Sequence, residues 1–540
     1  MSSVWSVFAL LLFCTALGFD LQIFHTNDLH SRFDEISDTT GVCRENHPCF
    51  GGFARVAHFV KTHRKNNTLV LNAGDSFQGT PLFVAFGTEI LQPMIDSLDI
   101  DAMSLGNHEF DRGPRVLRDY LDRVMTPVVT CNVDGSNEQD FANAKLNKSI
   151  VIPVGDVKVG VVGYLLPATK EIATVGNVIL TDEVECIRKE AQKLKKEGVH
   201  VVIAVGHSGW TKDLEIAEKV EEVDVVVGGH TDTFLYTGTP PSREKPEGPY
   251  PTLVKQSSGK LVPAVQAYGY TKYVGVLNLS FDDKTNKLIN ATGNPVLMTA
   301  NLAKCENVTH LLEEFKKNMS AIYKELVCIT EVDLNGSCKK SECNLGDIIA
   351  DAAAEFVDNR TTDKNREFET IGWINGGNIR SSVDKSTLEN GRLLLWDLAT
   401  ILPFPAQLVQ VRVVGSMLLE QLNHSYDQLS RGGFLQVSKM KIIYPQNKTK
   451  KIQAFVKSRK GQFEEVMSNN FYDVVVTDYL FRGGDGYNFS QGEYTQFFDK
   501  PQLDIVREWM ARQSPITVKE TDRIVFDNGN SNSSGAALPG

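Results

Sequence analysis

Past residue 17 the chain has no stretch apolar enough to cross a membrane, and it is short of positive charge: 56 Lys and Arg stand against 67 Asp and Glu, for a formal net charge of -11. The first shortage leaves residues 4–17 as the one apolar, uncharged run. It is shorter than the ~20 residues a spanning helix needs, and polar sequence follows at once. Ala16 and Gly18 lie at a spacing that a signal peptidase accepts, although no basic residue precedes the run, and 1–18 reads as a signal peptide. The second shortage removes the basic footprint that nucleic acid requires, so an anionic partner must be held by a focused site or by metal ions. Internal repeats are missing, and low-complexity sequence is confined to a polar tail over 528–540, which is expected to be disordered and lacks the hydrophobic end of a lipid-anchor signal.

With 540 residues, 42% of them hydrophobic and 23% charged, the chain has apolar material for more than one core, and two domains are expected. Eight of the nine cysteines follow the signal-like run. Cys43/Cys49 and Cys338/Cys343 are spaced to close small disulfide loops in an oxidising compartment, whereas Cys131, Cys186, Cys305 and Cys328 cannot be paired from sequence. Asn-x-Ser/Thr triplets at Asn66, Asn147, Asn278, Asn318, Asn423 and Asn488 agree with a secreted, extracellular protein that carries sugar.

Up to about residue 300, short β-branched runs at Leu69–Asn72, Val159–Gly163, Val199–Val205 and Val223–Val227 alternate with amphipathic stretches. In one of those stretches Val184, Ile187, Ala191 and Leu194 fall on a single helical face. This is an α/β pattern over 19–301. Residues 302–326 read as one Lys/Glu-rich linker helix, and the pattern then restarts over 327–527 with Gly-marked loops at Asn375–Arg380, Gly432–Phe434 and Arg482–Tyr487.

Five clusters carry metal-type side chains: His25 to His30, Gly74-Asp75-Ser76, Gly106-Asn107-His108-Glu109-Phe110-Asp111, Gly206-His207-Ser208 and Gly228-Gly229-His230-Thr231-Asp232. Each follows an apolar, strand-like segment. Loops at strand ends let side chains converge, glycines let the backbone turn sharply, and His, Asp and Asn supply the mixed N/O donors that borderline divalent metals prefer. One such histidine is usually an ordinary hydrogen-bonded residue, but five clusters in order favour two metals sharing a carboxylate. His47, His58, His63, His200, His310 and His424 lack this context and read as surface or packing residues.

The order Asp28-x-His30, Gly74-Asp75, Gly106-Asn107-His108-Glu109, Gly206-His207 and Gly229-His230 resembles the calcineurin-like metallophosphoesterase signature. The longer strings HTNDLHSRFD, GDSFQGT, GNHEFD and GGHTDTFLYTG resemble the 5′-nucleotidase family, which includes secreted salivary apyrases of blood-feeding arthropods. The resemblance implies an N-terminal four-layer α/β/β/α metallophosphoesterase domain and a C-terminal α/β substrate-binding domain. It implies two divalent ions (Zn, Mn, Ca or Mg), one on Asp28, His30 and Asp75, the other on Asp75, Asn107, His207 and His230. Asp232 stands where the family usually has an amide completing the first site, and His108 with Asp111 matches the catalytic dyad. In the second domain Asn375 and Arg380 match substrate residues, Phe404 and Tyr479 the rings that sandwich the base, and Asp485 the ribose-binding carboxylate. Two further departures are Lys339, where an arginine is common, and Tyr479, where a phenylalanine is frequent.

Two activities fit these residues. Apyrase-type hydrolysis of extracellular ATP and ADP to AMP comes first, because the unanchored C-terminus is similar to that of the secreted apyrases. Release of adenosine from AMP by 5′-nucleotidase action stands close behind it. A third reading, a non-catalytic protein that sequesters nucleotides or blocks a host haemostatic protein, would be favoured by a lost ligand or a lost His108, and neither is lost.

Overall fold

The computed structural model describes residues 18–44, 47–319, 321–360, 366–446 and 450–527. The signal peptide expected over 1–18, Gly18 apart, and the tail expected over 528–540 lie outside the described residues.

The β-branched runs form the centres of two sheets. In the first, Gly18–Thr26, Thr68–Asn72 and Ala102–Met103 run parallel, and Tyr273–Asp282 and Leu288–Leu297 extend the other edge. In the second, Val157–Leu165, Val201–His207, Val225–Val227 and Leu261–Val265 run parallel between the antiparallel edge strands Ser149–Val154 and Thr252–Lys255. Alternation along the strands divides their side chains between two faces. Ile23, Leu71, Val161, Ile203 and Val227 meet between the sheets. Phe24 and Val70 face outward against helices Phe53–His63, Thr88–Asp96 and Gly113–Arg123. On the far side Val162, Val202 and Val226 pack against Ile187, Ala191 and Leu194 of the helix Glu183–Lys196, the residues whose spacing predicted it. Helix, sheet, sheet and helix thus stack in the four layers expected.

The second domain is built on a five-stranded sheet in the order Leu435–Ser438, Ile371–Asn375, Phe471–Thr477, Gln407–Val414, Glu493–Pro501. Helices Asn344–Asp358 and Gln502–Arg512 cover one face. The helix Gly415–Asp427 and a four-stranded sheet cover the other.

The stretch 302–326 is not one helix. It forms the helix Glu306–Lys317, capped by Asn318, and then a 3-10 turn at Ala321–Lys324. Val308 and Leu312 bury the helix in the outer core of the first domain beside Phe53–His63, so it is packed along its length instead of standing free. Phe315, in its last turn, and Met319, just past its end, continue the apolar stripe against the same core.

Both short disulfides are present, Cys43–Cys49 and Cys338–Cys343, and Cys131 pairs with Cys186. Cys305 and Cys328 are free thiols. The loop closed by Cys43–Cys49 meets the second domain, where Arg44 pairs with Asp397. Nearby, Arg32 Nη2 donates to the carbonyl of Arg380 at 3.1 Å.

One buried group works against stability. Asp347, in the first turn of Asn344–Asp358, is fully buried, and its one charged partner among the described residues is Arg523, whose Nε stands 3.5 Å from Oδ1, too far for a hydrogen bond. Burial, with Glu342 and Asp351 adding to it against Arg523, pushes its pKa from 3.8 up to about 9. The folded chain therefore holds a proton that the unfolded chain releases between those values, and stability falls as pH rises through that window. Asp347→Asn is expected to stabilise the protein by about 1–3 kcal/mol at pH 8. The gain should vanish below pH 4, which thermal melts across the pH range would check.

Candidate functional site

All five clusters lie at the C-terminal ends of strands of the two sheets and face a common cleft. Five of their residues hold left-handed backbone: Asp28 (φ 50°), His30 (φ 45°), Asp75 (φ 54°), His230 (φ 80°) and Asp232 (φ 51°). Non-glycine residues seldom adopt this region, and such strain concentrates at functional sites. Close packing of the turns requires glycine at Gly106, where a Cβ would fall 2.2 Å from Asp75 Oδ1.

Three groups of side chains converge so that their donor atoms lie within 4.8 Å of one another: Asp28, His30 and Asp232; Asp75, His207 and His230; and His30, Asp75 and His108. Asp75 links them. Its Oδ2 is 2.9 Å from His207 Nε2, 3.8 Å from His30 Nε2 and 4.0 Å from His108 Nε2. Asn107 joins the second group, its Oδ1 3.0 Å from His230 Nδ1. His207 Nδ1 lies 2.7 Å from the carbonyl of Ala73, which fixes the ring and leaves Nε2 facing the carboxylates.

The residues fit divalent cations. Asp232 Oδ1 is buried without a hydrogen-bond partner among the described residues, and His207 Nε2 is turned onto the Asp75 carboxylate. Burial, and behind it Asp232 and Asp75, push the Asp28 carboxyl up to about 8 against the pull of His207. Against burial, which lowers it, Asp75 and Asp28 hold the His207 imidazole up at about 10. Burial and the neighbouring His207 drive His230 down to about 3. Carboxylates and imidazoles crowded in this way call for positive charge among them, and protons and metal ions compete for the same atoms.

His108 stands beside the groups with Nδ1 2.7 Å from Asp111 Oδ2. Burial lowers its pKa, but Asp111 and then Asp75 outweigh it and hold the ring above its ordinary value. His25, within the first cluster, is not part of the convergence: its Nε2 meets the Tyr250 hydroxyl at 2.8 Å.

The second domain brings its predicted residues to this cleft. Arg380 Nη2 lies 3.0 Å from His30 Nε2, and its guanidinium carbon is 5.9 Å from the centre of the Phe404 ring. The Phe404 and His108 ring centres are 5.9 Å apart. Asp485 is held on both oxygens, by Tyr479 Oη at 2.9 Å and Asn375 Nδ2 at 2.8 Å. Gly484 lies so close to Tyr479 that a Cβ there would be 2.5 Å from the ring. Among the described residues the rings of Phe404 and Tyr479 do not meet. Lys339 is half-buried, and burial lowers its pKa against the pull of Asp232.

Three contributors escape the sequence. Glu109 is buried, and its carboxylate accepts the backbone N–H groups of Asp75 (3.1 Å), Ser76 (2.7 Å), Phe77 (3.1 Å) and Gly106 (2.5 Å), tying two clusters together. Its place in GNHEFD was the available signal. Arg32 reaches Arg380 across the domains. His424, expected to be an ordinary packing residue, instead bonds the carbonyl of Asp485 at 2.7 Å through Nε2 and supports the substrate loop.

Residues 21–233 match the calcineurin-like phosphoesterase family, and residues 327–491 match the 5′-nucleotidase C-terminal domain. The chain is similar to Protein 5NUC of Lutzomyia longipalpis, with 37% identity over 95% of this chain and 94% of that protein. Similarity to the snake venom 5′-nucleotidase of Gloydius brevicauda is 36% identity over 96% and 91%. The fold matches the crystal structure of a 5′-nucleotidase precursor from Thermus thermophilus, with a TM-score of 0.86 and 31% identity over 94% of this chain and 100% of that one.

Proposed function

Because the chain belongs to the 5′-nucleotidase family of calcineurin-like phosphoesterases, hydrolases that use two divalent metal ions, we propose that it hydrolyses nucleoside 5′-monophosphates, converting AMP to adenosine and phosphate. The carrying observation is the gathering of base-type and phosphate-type groups beside the metal cluster: the Phe404 and His108 ring centres lie 5.9 Å apart, and Arg380 stands between Phe404 and His30. Similarity to 5′-nucleotidases along nearly the whole chain favours the monophosphate as substrate.

In this reading Asp28, His30, Asp75 and Asp232 hold one ion, and Asp75, Asn107, His207 and His230 hold the other. When bound, the ions polarise the phosphoryl group and lower the pKa of water at the site. Arg380 offers a planar fork of donors to the phosphoryl oxygens, and Lys339 adds a point charge. His108, aligned by Asp111, faces the phosphate from the side of Asp75 and stabilises charge that develops in the transition state. Asp485, braced by Tyr479, Asn375 and His424, receives the ribose hydroxyls. Phe404 and Tyr479 take the base between them, a contact that tolerates different bases.

Tyr479→Ala is expected to raise KM for AMP roughly tenfold with little change in kcat, since stacking contributes about 1–3 kcal/mol per base. Steady-state kinetics decide it; an unchanged KM would remove Tyr479 from the base site. Action outside the cell belongs to the same reading, supported by three disulfides and by similarity to a venom protein. Among the described residues no helix is long and apolar enough to cross a membrane.

Phosphate release from AMP, ADP and ATP, compared at equal concentration, tests the substrate. The monophosphate should be cleaved at least about tenfold faster. Rapid loss of ATP and ADP with AMP accumulating would replace this reading with the apyrase one.

A further inference from the structure

The two halves of the metal cluster are not chemically alike. Around the first, Asp28, His30 and Asp232 converge with Asp75, so three carboxylates face one imidazole. Around the second, Asp75, His207 and His230 converge with Asn107, so two imidazoles and an amide face one carboxylate. Asp232 makes the difference. Its Oδ2 accepts a hydrogen bond from the Tyr270 hydroxyl at 3.3 Å, while Oδ1 is buried with no partner among the described residues. Lys339 and Arg380 lend it positive charge from a distance but it forms no ion pair among the described residues, and a carboxylate oxygen buried without a partner is costly unless a cation lies against it. The left-handed turn at Asp232 and the missing side chain at Gly269, where a Cβ would fall 2.8 Å from Oδ1, keep that oxygen beside Asp28. Carboxylate oxygens favour hard cations such as Mn²⁺ and Mg²⁺, whereas imidazole-rich sets favour Zn²⁺.

We infer that Asp232 makes this a sorting, mixed-metal cluster, with a hard divalent cation of the Mn²⁺ class on Asp28, His30, Asp75 and Asp232 and a zinc-class ion on Asp75, Asn107, His207 and His230. The inference rests on the ligand assignment above. Sorting follows from relative preference: zinc binds more tightly than manganese to most sites, but its advantage is largest where imidazoles dominate. A limiting supply of zinc therefore fills the second position and leaves the first to manganese.

Metal content and spin coupling test this without any assay of turnover. Protein stripped by chelation receives one equivalent of Zn²⁺, then an excess of Mn²⁺, and is freed of loose ions by gel filtration. Elemental analysis should find one zinc and one manganese per chain, and the electron paramagnetic resonance spectrum should be that of an isolated Mn²⁺. In D232N the amide keeps an oxygen for the Tyr270 hydroxyl, and an unchanged thermal melt would establish its fold. Its Mn²⁺ affinity beside bound zinc should fall by on the order of tenfold or more. Exchange-coupled manganese pairs in the parent protein, or equal Mn²⁺ affinity in D232N, would overturn sorting while leaving a two-metal cluster intact. Retention of no metal by the parent protein would overturn the ligand assignment itself.

Discussion

His108→Ala is expected to lower kcat for AMP by roughly a hundredfold to ten-thousandfold, the range for loss of a group that acts on the transition state. KM and metal content should stay near their parent values. The imidazole stands at the edge of the cluster, 4.0 Å from the Asp75 carboxylate, with Asp111 2.7 Å behind it. Asp111 and Asp75 outweigh the effect of burial and raise the pKa of the ring, which favours its role opposite negative charge that develops on the leaving oxygen. Asp111→Asn keeps the ring but removes its anionic partner, and it should fall between the parent and His108→Ala. A near-normal kcat in His108→Ala, measured under saturating AMP, would take His108 out of the mechanism.

A larger loss is expected at Asp75. This residue belongs to two of the three convergent groups and approaches His207, His30 and His108 through the same oxygen. Its own position is fixed twice over, by Glu109 on its backbone N–H and by the backbone N–H of His108 on Oδ1. Asp75→Asn preserves shape but removes the charge shared by both ions. kcat/KM should drop by on the order of a thousandfold or more, with fewer than two ions retained per chain. Elemental analysis alongside kinetics separates the outcomes, because full metal content with near-parent activity would show that another group bridges.

The metal cluster was legible in the sequence because coordination draws on short local strings. Asp28-Leu29-His30 carries two donors within three residues, and Gly228-Gly229-His230-Thr231-Asp232 adds turn-forming glycines directly after the β-branched run Val225–Val227. What acts across distance was not legible. Arg32 meets Arg380 from 348 residues away, and His424 reaches Asp485 from a separate helix. Arg32 lies within HTNDLHSRFD, but nothing in that string names its distant partner, and His424 has no marking context at all. Glu109 lay in plain view, yet its work is to accept backbone donors, which no side-chain pattern reports. The linker helix failed for a related reason: a Lys/Glu-rich stretch has high helix propensity throughout, and propensity alone does not mark where the helix stops.

The most direct test of the account is adenosine release from AMP by protein stripped of metal and then titrated with a divalent ion. No adenosine should form before metal is added, and activity should rise to its full value as the second equivalent per chain binds. Adenosine release that persists in the stripped protein would contradict hydrolysis at this cluster.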